Sequence, residues 1–281
     1  MTKRRAQKRE KSASFRKRII IIFSILAVLL LGTLIIYVFK PQLFRTACRR
    51  IERIVIKNPQ YSDVVFPENG IVGIDVSLYQ EDIDWKNVSF RVSKLTQTLT
   101  KDSSATPHKI DFVFAKATEG ITITDSKYKK NKQGAESQNI PFGAYHFFSV
   151  TSDPAQQAAH FIKTANLTAG NFIPVLDVEY QGNLSKQELR KRVLVWLKAV
   201  EKHYGRKPII YTYANFHDDI FDTKDFSEYF FWMAHYGVSQ PRHDCKFWQF
   251  TEDGVVYGIT GYVDVNVFFG SPKELNNLKL K

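Results

Sequence analysis

Cysteine is nearly absent from this chain: Cys48 and Cys245 are the two in 281 residues. That excludes a disulfide framework and any paired-cysteine zinc site. A bridge between the two would tie the early part of the chain to its folded part, as an exported protein permits. The seven histidines, His108, His146, His160, His203, His217, His235 and His243, are scattered and form no His-Glu-x-x-His pair, so a zinc hydrolase lacks its ligands. An all-oxygen magnesium or calcium site would call for a phosphate substrate or an acidic loop, and neither is signalled. No metal and no cofactor is expected. There is no Gly-x-Ser-x-Gly elbow, which removes a serine esterase. Internal repeats are missing as well.

Basic charge is also missing from most of the chain, despite a formal net charge of +12. Residues 1–18 hold nine Lys/Arg against one Glu, and residues 40–57 hold six against one, so 58–281 lies within one charge of neutral. Such a domain has no electrostatic footprint for a phosphate backbone, and no nucleic acid partner is expected. Between the basic blocks, residues 19–39 carry no charge, the length that crosses a hydrocarbon core as a helix. The run lacks the small-residue exit of a cleaved signal peptide. The sequence therefore predicts a basic cytoplasmic tail (1–18), a single transmembrane helix in the lipid bilayer (19–39), a basic stem and linker (40–69) and a catalytic domain (70–281). The larger N-terminal block keeps the N-terminus cytoplasmic and puts the domain on the extracytoplasmic side of the cell membrane. The second block (Lys40, Arg45, Arg49, Arg50) reduces that asymmetry and is also suited to anionic lipid.

What is abundant is aromatic: 22 Phe and 13 Tyr, enough for a large core and for strands. Strand-like runs fall at 71–75, 111–118, 141–148, 172–179 and 207–213, with helical spacing between them at 126–138, 154–165 and 185–203. Asp153-Pro154 reads as a helix cap and first turn, and Ser185-Lys186-Gln187-Glu188 as a capping box. Beyond Tyr213 the strand-like runs 229–236, 246–251 and 262–269 follow one another without helices. Five strands with crossovers and three without describe an α/β fold, a (β/α)5β3 TIM-like barrel with its site at the C-terminal strand ends. An open doubly wound sheet is the alternative.

Asp177-Val178-Glu179 closes the apolar run Phe172-Ile173-Pro174-Val175-Leu176. Side chains of an extended chain alternate, so Asp177 and Glu179 project to one side. Two carboxyls crowded beside apolar surface raise a pKa and can keep one proton. Taken alone, the tripeptide could equally be an acidic strand end in water. A closed barrel adds Asp75 and Asp264 to the same mouth, and four acids there surround either a metal or a sugar. Tyr79, Tyr145, Phe147, Tyr211, Tyr213, Trp232, Tyr236 and Trp248 favour the sugar, offering flat rings to pyranose faces; each taken singly reads as packing. His146 and His235 read as hydrogen-bonded lining.

Gly73-Ile74-Asp75-Val76-Ser77, Phe114-Ala115-Lys116-Ala117-Thr118-Glu119-Gly120, Gly143-Ala144-Tyr145-His146-Phe147, Pro174-Val175-Leu176-Asp177-Val178-Glu179, Ile210-Tyr211-Thr212-Tyr213, Trp232-Met233-Ala234-His235-Tyr236, and Trp248-Gln249 followed by Gly261-Tyr262-Val263-Asp264-Val265-Asn266 resemble, in order, the glycoside hydrolase family 25 lysozymes. The resemblance covers 70–271. It implies an N-acetylmuramidase that cleaves the β-1,4 bond between N-acetylmuramic acid and N-acetylglucosamine in peptidoglycan, without a metal. Glu179 would be the general acid and Asp177 its assisting carboxylate, with Asp75 and Asp264 binding hydroxyls or holding the pair in charge register and Tyr145 near the N-acetyl group. Asp177 would orient that N-acetyl group as internal nucleophile, or a second acid would activate water; two acids on one strand favour the former. The chain departs from the family pattern in a polar insertion at 91–109 and in Leu78. A peptidoglycan-binding or scaffold protein on an inactive barrel is the alternative function.

Overall fold

The structure, a computed structural model, describes residues 61–66, 70–242 and 244–281. The chain divides into two units, 1–57 and 58–281, and the described residues belong to the second. The predicted membrane span, both basic blocks and Cys48 lie outside the described residues, among which no helix is long and apolar enough to cross a membrane.

Eight strands form the barrel: β1 (Ile71–Val76), β2 (Phe112–Glu119), β3 (Phe142–Phe147), β4 (Val175–Asp177), β5 (Ile209–Tyr213), β6 (Phe231–Ala234), β7 (Phe247–Gly254) and β8 (Val263–Phe268). From β1 to β7 successive strands pair in parallel, and β8 runs antiparallel to both β7 and β1, closing the sheet. Closure leaves none of the eight at an edge, so the open doubly wound alternative is excluded. Each strand lies where the sequence predicts it.

The helices depart from the expected five. α1 (Tyr128–Ser137), α2 (Pro154–Ala165) and α3 (Lys186–Tyr204) follow β2, β3 and β4. Asp153 caps α2 through the Gln156 amide, with Pro154 in the first turn. Ser185 accepts from the Glu188 amide, which is one half of the predicted box. After β5 a single α-helical turn, Ala214–Phe216, runs into a π-helical stretch, His217–Phe221, and a 3-10 turn, Lys224–Phe226. The β1–β2 crossover is not helical either. It holds two 3-10 turns, Leu78–Gln80 and Trp85–Asn87, and three short strands.

The insertion at 91–109 is therefore folded rather than a loose surface loop. Ser89–Arg91 pairs with Pro107–Lys109, and Thr98–Thr100 pairs with Tyr61–Val65, so ordered structure begins ahead of the boundary predicted at residue 70. Threonines and a proline suit these extended pieces better than a helix. Phe66 stacks on Phe90 at 5.3 Å and meets Phe250 edge-on at 5.9 Å, fixing the added strands against the barrel wall.

Register sets which side chains face inward. Residues paired across parallel strands point to the same side, and Gly73↔Phe112, Phe114↔Gly143, Lys116↔Tyr145, Phe147↔Asp177, Asp177↔Tyr211, Tyr211↔Trp232 and Gln249↔Asn266 are such pairs or their antiparallel equivalents. The floor is a cluster of rings: Phe114 lies 5.4 Å from Phe172, 5.0 Å from Trp232 and 5.3 Å from Phe247. Burying each such ring stabilises the fold by about 1.5–3 kcal/mol. Gly73 and Gly143 make room for them, since a Cβ at either would stand 2.3 Å from the Phe112 or Phe114 ring.

Candidate active site

Above the aromatic floor the inward positions turn polar. Asp75 on β1 is buried, and its Oδ2 accepts from Gln249 Nε2 and Asn266 Nδ2, both at 2.8 Å. Neither amide can flip. Asn266 Oδ1 accepts from Trp232 Nε1 at 2.7 Å, and Gln249 Oε1 accepts from the hydroxyls of Tyr211, at 2.7 Å, and Tyr236. The indole N–H can only donate, and a flipped Gln249 would set its own oxygen against the Asp75 carboxylate, so both NH2 groups aim at that one carboxylate oxygen. Asp264 sits directly opposite Asp75 in the β8–β1 register.

On the facing wall, β4 carries Asp177 inward and the chain carries Glu179 two residues further, side by side as alternation requires. Their carboxyls hydrogen-bond to each other, and Tyr213 donates to Glu179. Burial, with the nearby Asp75 charge, raises Glu179 from 4.5 to about 7, against the pull of Lys116 and its own hydrogen bonds. Burial and the Glu179 charge push Asp177 well above the usual carboxylate range, again opposed by Lys116. Asp177 Oδ1 is buried without a hydrogen-bond partner. Two carboxyls so placed hold a proton between them at neutral pH, as like charges in contact must. Lys116, inward on β2, is the cation nearest this pair's balance; it donates to Glu119 Oε2 at 2.6 Å and lies 4.8 Å from the centre of the Phe147 ring.

The four predicted acids thus converge: the charges of Asp75, Asp177 and Asp264 all bear on Tyr145, and those of Asp264, Asp75 and Glu179 on Tyr236, raising both phenols further than burial alone does. A buried acid that keeps its proton near pH 7, beside charged carboxylates and under an aromatic rim, is equipped to protonate a leaving oxygen and stabilise developing positive charge.

Residues 74–259 match Glycosyl hydrolases family 25. The chain belongs to that family. It is a glycosidase of the lysozyme type, related to proteins of known name and structure. It is 44% identical over 209 residues to the uncharacterized protein YegX of Escherichia coli, covering 73% of this chain and 72% of that one. It is 29% identical to Lysozyme M1 of Streptomyces globisporus, covering 74% and 70% of the two chains. The fold superposes on the bacterial lysozyme of Streptomyces coelicolor with a TM-score of 0.65 at 28% identity, over 75% of this chain and 98% of that one.

In this family 25 glycosidase the predicted sugar-binding aromatics other than Phe147, which lies against Lys116, separate into groups. Tyr79 and Tyr213 are exposed at the rim, 63% and 37% respectively, and Tyr145 and Tyr236 are half-buried in the mouth. Tyr211 and Trp232 are buried beneath it, holding the amides of Gln249 and Asn266 rather than offering a face. Trp248 is a correction. Its neighbours Phe247 and Gln249 point inward, so the indole points out of the barrel, where it stacks on Phe269 at 6.1 Å and donates to the His235 carbonyl at 2.8 Å. His146 also lies behind the wall, bonded to Thr118 Oγ1 at 2.7 Å and Gln157 Oε1 at 3.1 Å; burial lowers it to about 3, so it stays neutral.

Sequence reasoning passed over Lys116, Glu119, Gln249 and Asn266 as site residues. The signal was present: Lys116 follows inward Phe114 by two residues and Asn266 follows Asp264 by two. Among the described residues no group of three or more His, Cys, Asp or Glu is arranged to hold a metal ion. Cys245 is a half-buried free thiol, pushed up to about 12 by burial.

Proposed function

We propose that this enzyme is a peptidoglycan N-acetylmuramidase that cleaves the β-1,4 bond between N-acetylmuramic acid and N-acetylglucosamine. The observation that carries the reading is the hydrogen-bonded Asp177–Glu179 pair, buried and holding a proton near neutrality. Glu179 gives that proton to the leaving oxygen. Glu179 is left as a carboxylate, and the Asp177 carboxylate balances the positive charge developing on the substrate and orients its N-acetyl group, whose oxygen attacks from within the substrate; two carboxyls on one strand stand on one side of the bond, which favours this over direct attack by water. Asp75, anchored by Gln249 and Asn266, and Asp264 face the developing positive charge. Tyr213 steadies Glu179.

The uncharged run at 19–39 between two basic blocks supports a membrane tether with the barrel on the extracytoplasmic side, within reach of the cell wall. Incubating the protein with purified peptidoglycan tests the activity: new muramic reducing ends are expected. Sedimentation with the wall and no release would favour a binding protein on an inactive barrel. Protease protection in intact and opened cells tests the orientation.

A further inference from the structure

Beside the mouth, on the side of β1 and β8, lies a separate cavity of about 400 Å3, within the range of about 300–1,000 Å3 usual for small-ligand sites. Asp82 and Asp84 of the loop after β1 line it, with Lys101 from the insertion and Tyr257, Ile259 and Thr260 from the β7–β8 loop. Along both loops, Gln80 and Tyr262 fall between these residues and the strand ends carrying Asp75 and Asp264, and Gln80 Nε2 donates to the Tyr262 carbonyl at 3.3 Å.

The walls are tied together. The Asp84 amide donates to Gly258 O at 2.8 Å, Lys101 Nζ to Ile259 O at 2.9 Å, and the Tyr257 hydroxyl to the Lys101 carbonyl. Gly258 sits at φ +82°, and a Cβ there would stand 2.6 Å from the Asp84 carbonyl oxygen. This cavity therefore exists before any ligand arrives, and its cation comes from the stretch in which the chain departs from the compact crossover of its family.

Charge selects the ligand. The lining offers carboxylates from one loop and an ammonium from another, a combination from which a neutral sugar gains little and a zwitterionic chain gains at both ends. Asp82 is also paired with Lys127 at 2.7 Å and Lys130 at 3.4 Å, but its side chain is exposed, and such surface pairs are weak enough to share with a ligand. Asp84 Oδ2 accepts from Asn87 Nδ2 at 2.7 Å, which fixes its carboxyl.

We propose that this cavity receives the peptide carried by a muramyl residue, with Lys101 engaging a peptide carboxylate and Asp82 and Asp84 an ammonium group. The inference rests on the muramidase reading and deepens it: the insertion makes the enzyme selective for peptide-bearing glycan. A peg role for Lys101, holding the insertion to Ile259 and nothing more, is the competing account.

The test measures kcat/KM of the full-length protein on peptide-bearing glycan strands and on the same strands stripped of peptide by an amidase. A ratio of about ten in favour of the peptide-bearing strands is expected, the worth of one charge-assisted contact. Lys101→Met and, from the opposite wall, Asp84→Asn should each draw that ratio toward one, with Lys101→Arg keeping most of it. Amidating the peptide carboxylates should lower the wild-type ratio without any change to the protein. A wild-type ratio of one, a ratio indifferent to amidation, or a Lys101→Met that slows both substrates in parallel overturns the proposal. A wild type inactive on both substrates overturns instead the muramidase reading on which it rests.

Discussion

Replacing Glu179 by Gln separates what the acid does for the reaction from what it costs the fold. Burial raises Glu179 from 4.5 to about 7, so the folded state binds its proton more tightly than the unfolded chain does. Stability linked to this group is fully present below pH 4.5 and falls as pH rises through 7. The difference is about 3 kcal/mol from the size of the shift, an upper bound because Asp177 shares the proton. Glutamine keeps the shape, can donate to Asp177 and accept from Tyr213, and has no charge to bury. Thermal unfolding followed by the fluorescence of the buried tryptophans should show Glu179→Gln and wild type alike at pH 4. At pH 8 the variant should melt higher, by several degrees and up to about 10 °C, at about 2–4 °C per kcal/mol for a domain of this size. Titrations remote from the pair cancel in the comparison. Hydrolysis of peptidoglycan should fall by about 10²–10⁴-fold. A variant no more stable than wild type at pH 8 would refute the burial argument, and one that still hydrolyses at wild-type rate would refute the assignment of the acid.

The pH–rate profile should lose activity as pH rises through about 7; Lys116→Met, which removes a charge that lowers both carboxyls, should move that limb to higher pH, and Lys116→Arg should return it, all read from kcat/KM. An unmoved limb would mean that the lysine serves only Glu119. Asn266→Leu takes a donor from Asp75 and leaves Trp232 Nε1 unpaired, and should cost about 1–3 kcal/mol in urea unfolding; a smaller loss would show the amide to be dispensable. Gly143→Ala places a Cβ 2.3 Å from the Phe114 ring and should destabilise by about 1–3 kcal/mol as an overpacked interior, visible as a lowered Tm.

The barrel was legible because its information is local. Each of the eight strands is a short apolar run of its own, and α2 and α3 announce their starts at Asp153-Pro154 and Ser185. The β1–β2 crossover was not legible: Thr98–Thr100 is a strand because Tyr61–Val65, far away in sequence, lies against it, and non-local pairing leaves no period to read. The common side of Asp177 and Glu179 was legible from strand alternation, and the approach of Asp75 and Asp264 only from closing the barrel. The same alternation applied at Phe114 and Asp264 leads to Lys116 and Asn266, and applied at Phe247 it sends Trp248 outward and Gln249 in. What no pattern disclosed is that Tyr211 and Trp232 spend their polar atoms on two amides, since that depends on depth within the barrel.

The antiparallel return of β8 sets Asp264 across from Asp75, a like-signed couple of the kind that weakens neighbouring strands. A descendant that kept this scaffold merely to adhere to the wall would be relieved of that repulsion by replacing Asp264, while Asp75 would stay to receive the Gln249 and Asn266 amides. The couple thus serves as a molecular fossil test: among proteins built on this frame, those still engaged in hydrolysis should carry the strain, and those retired from it should have relaxed.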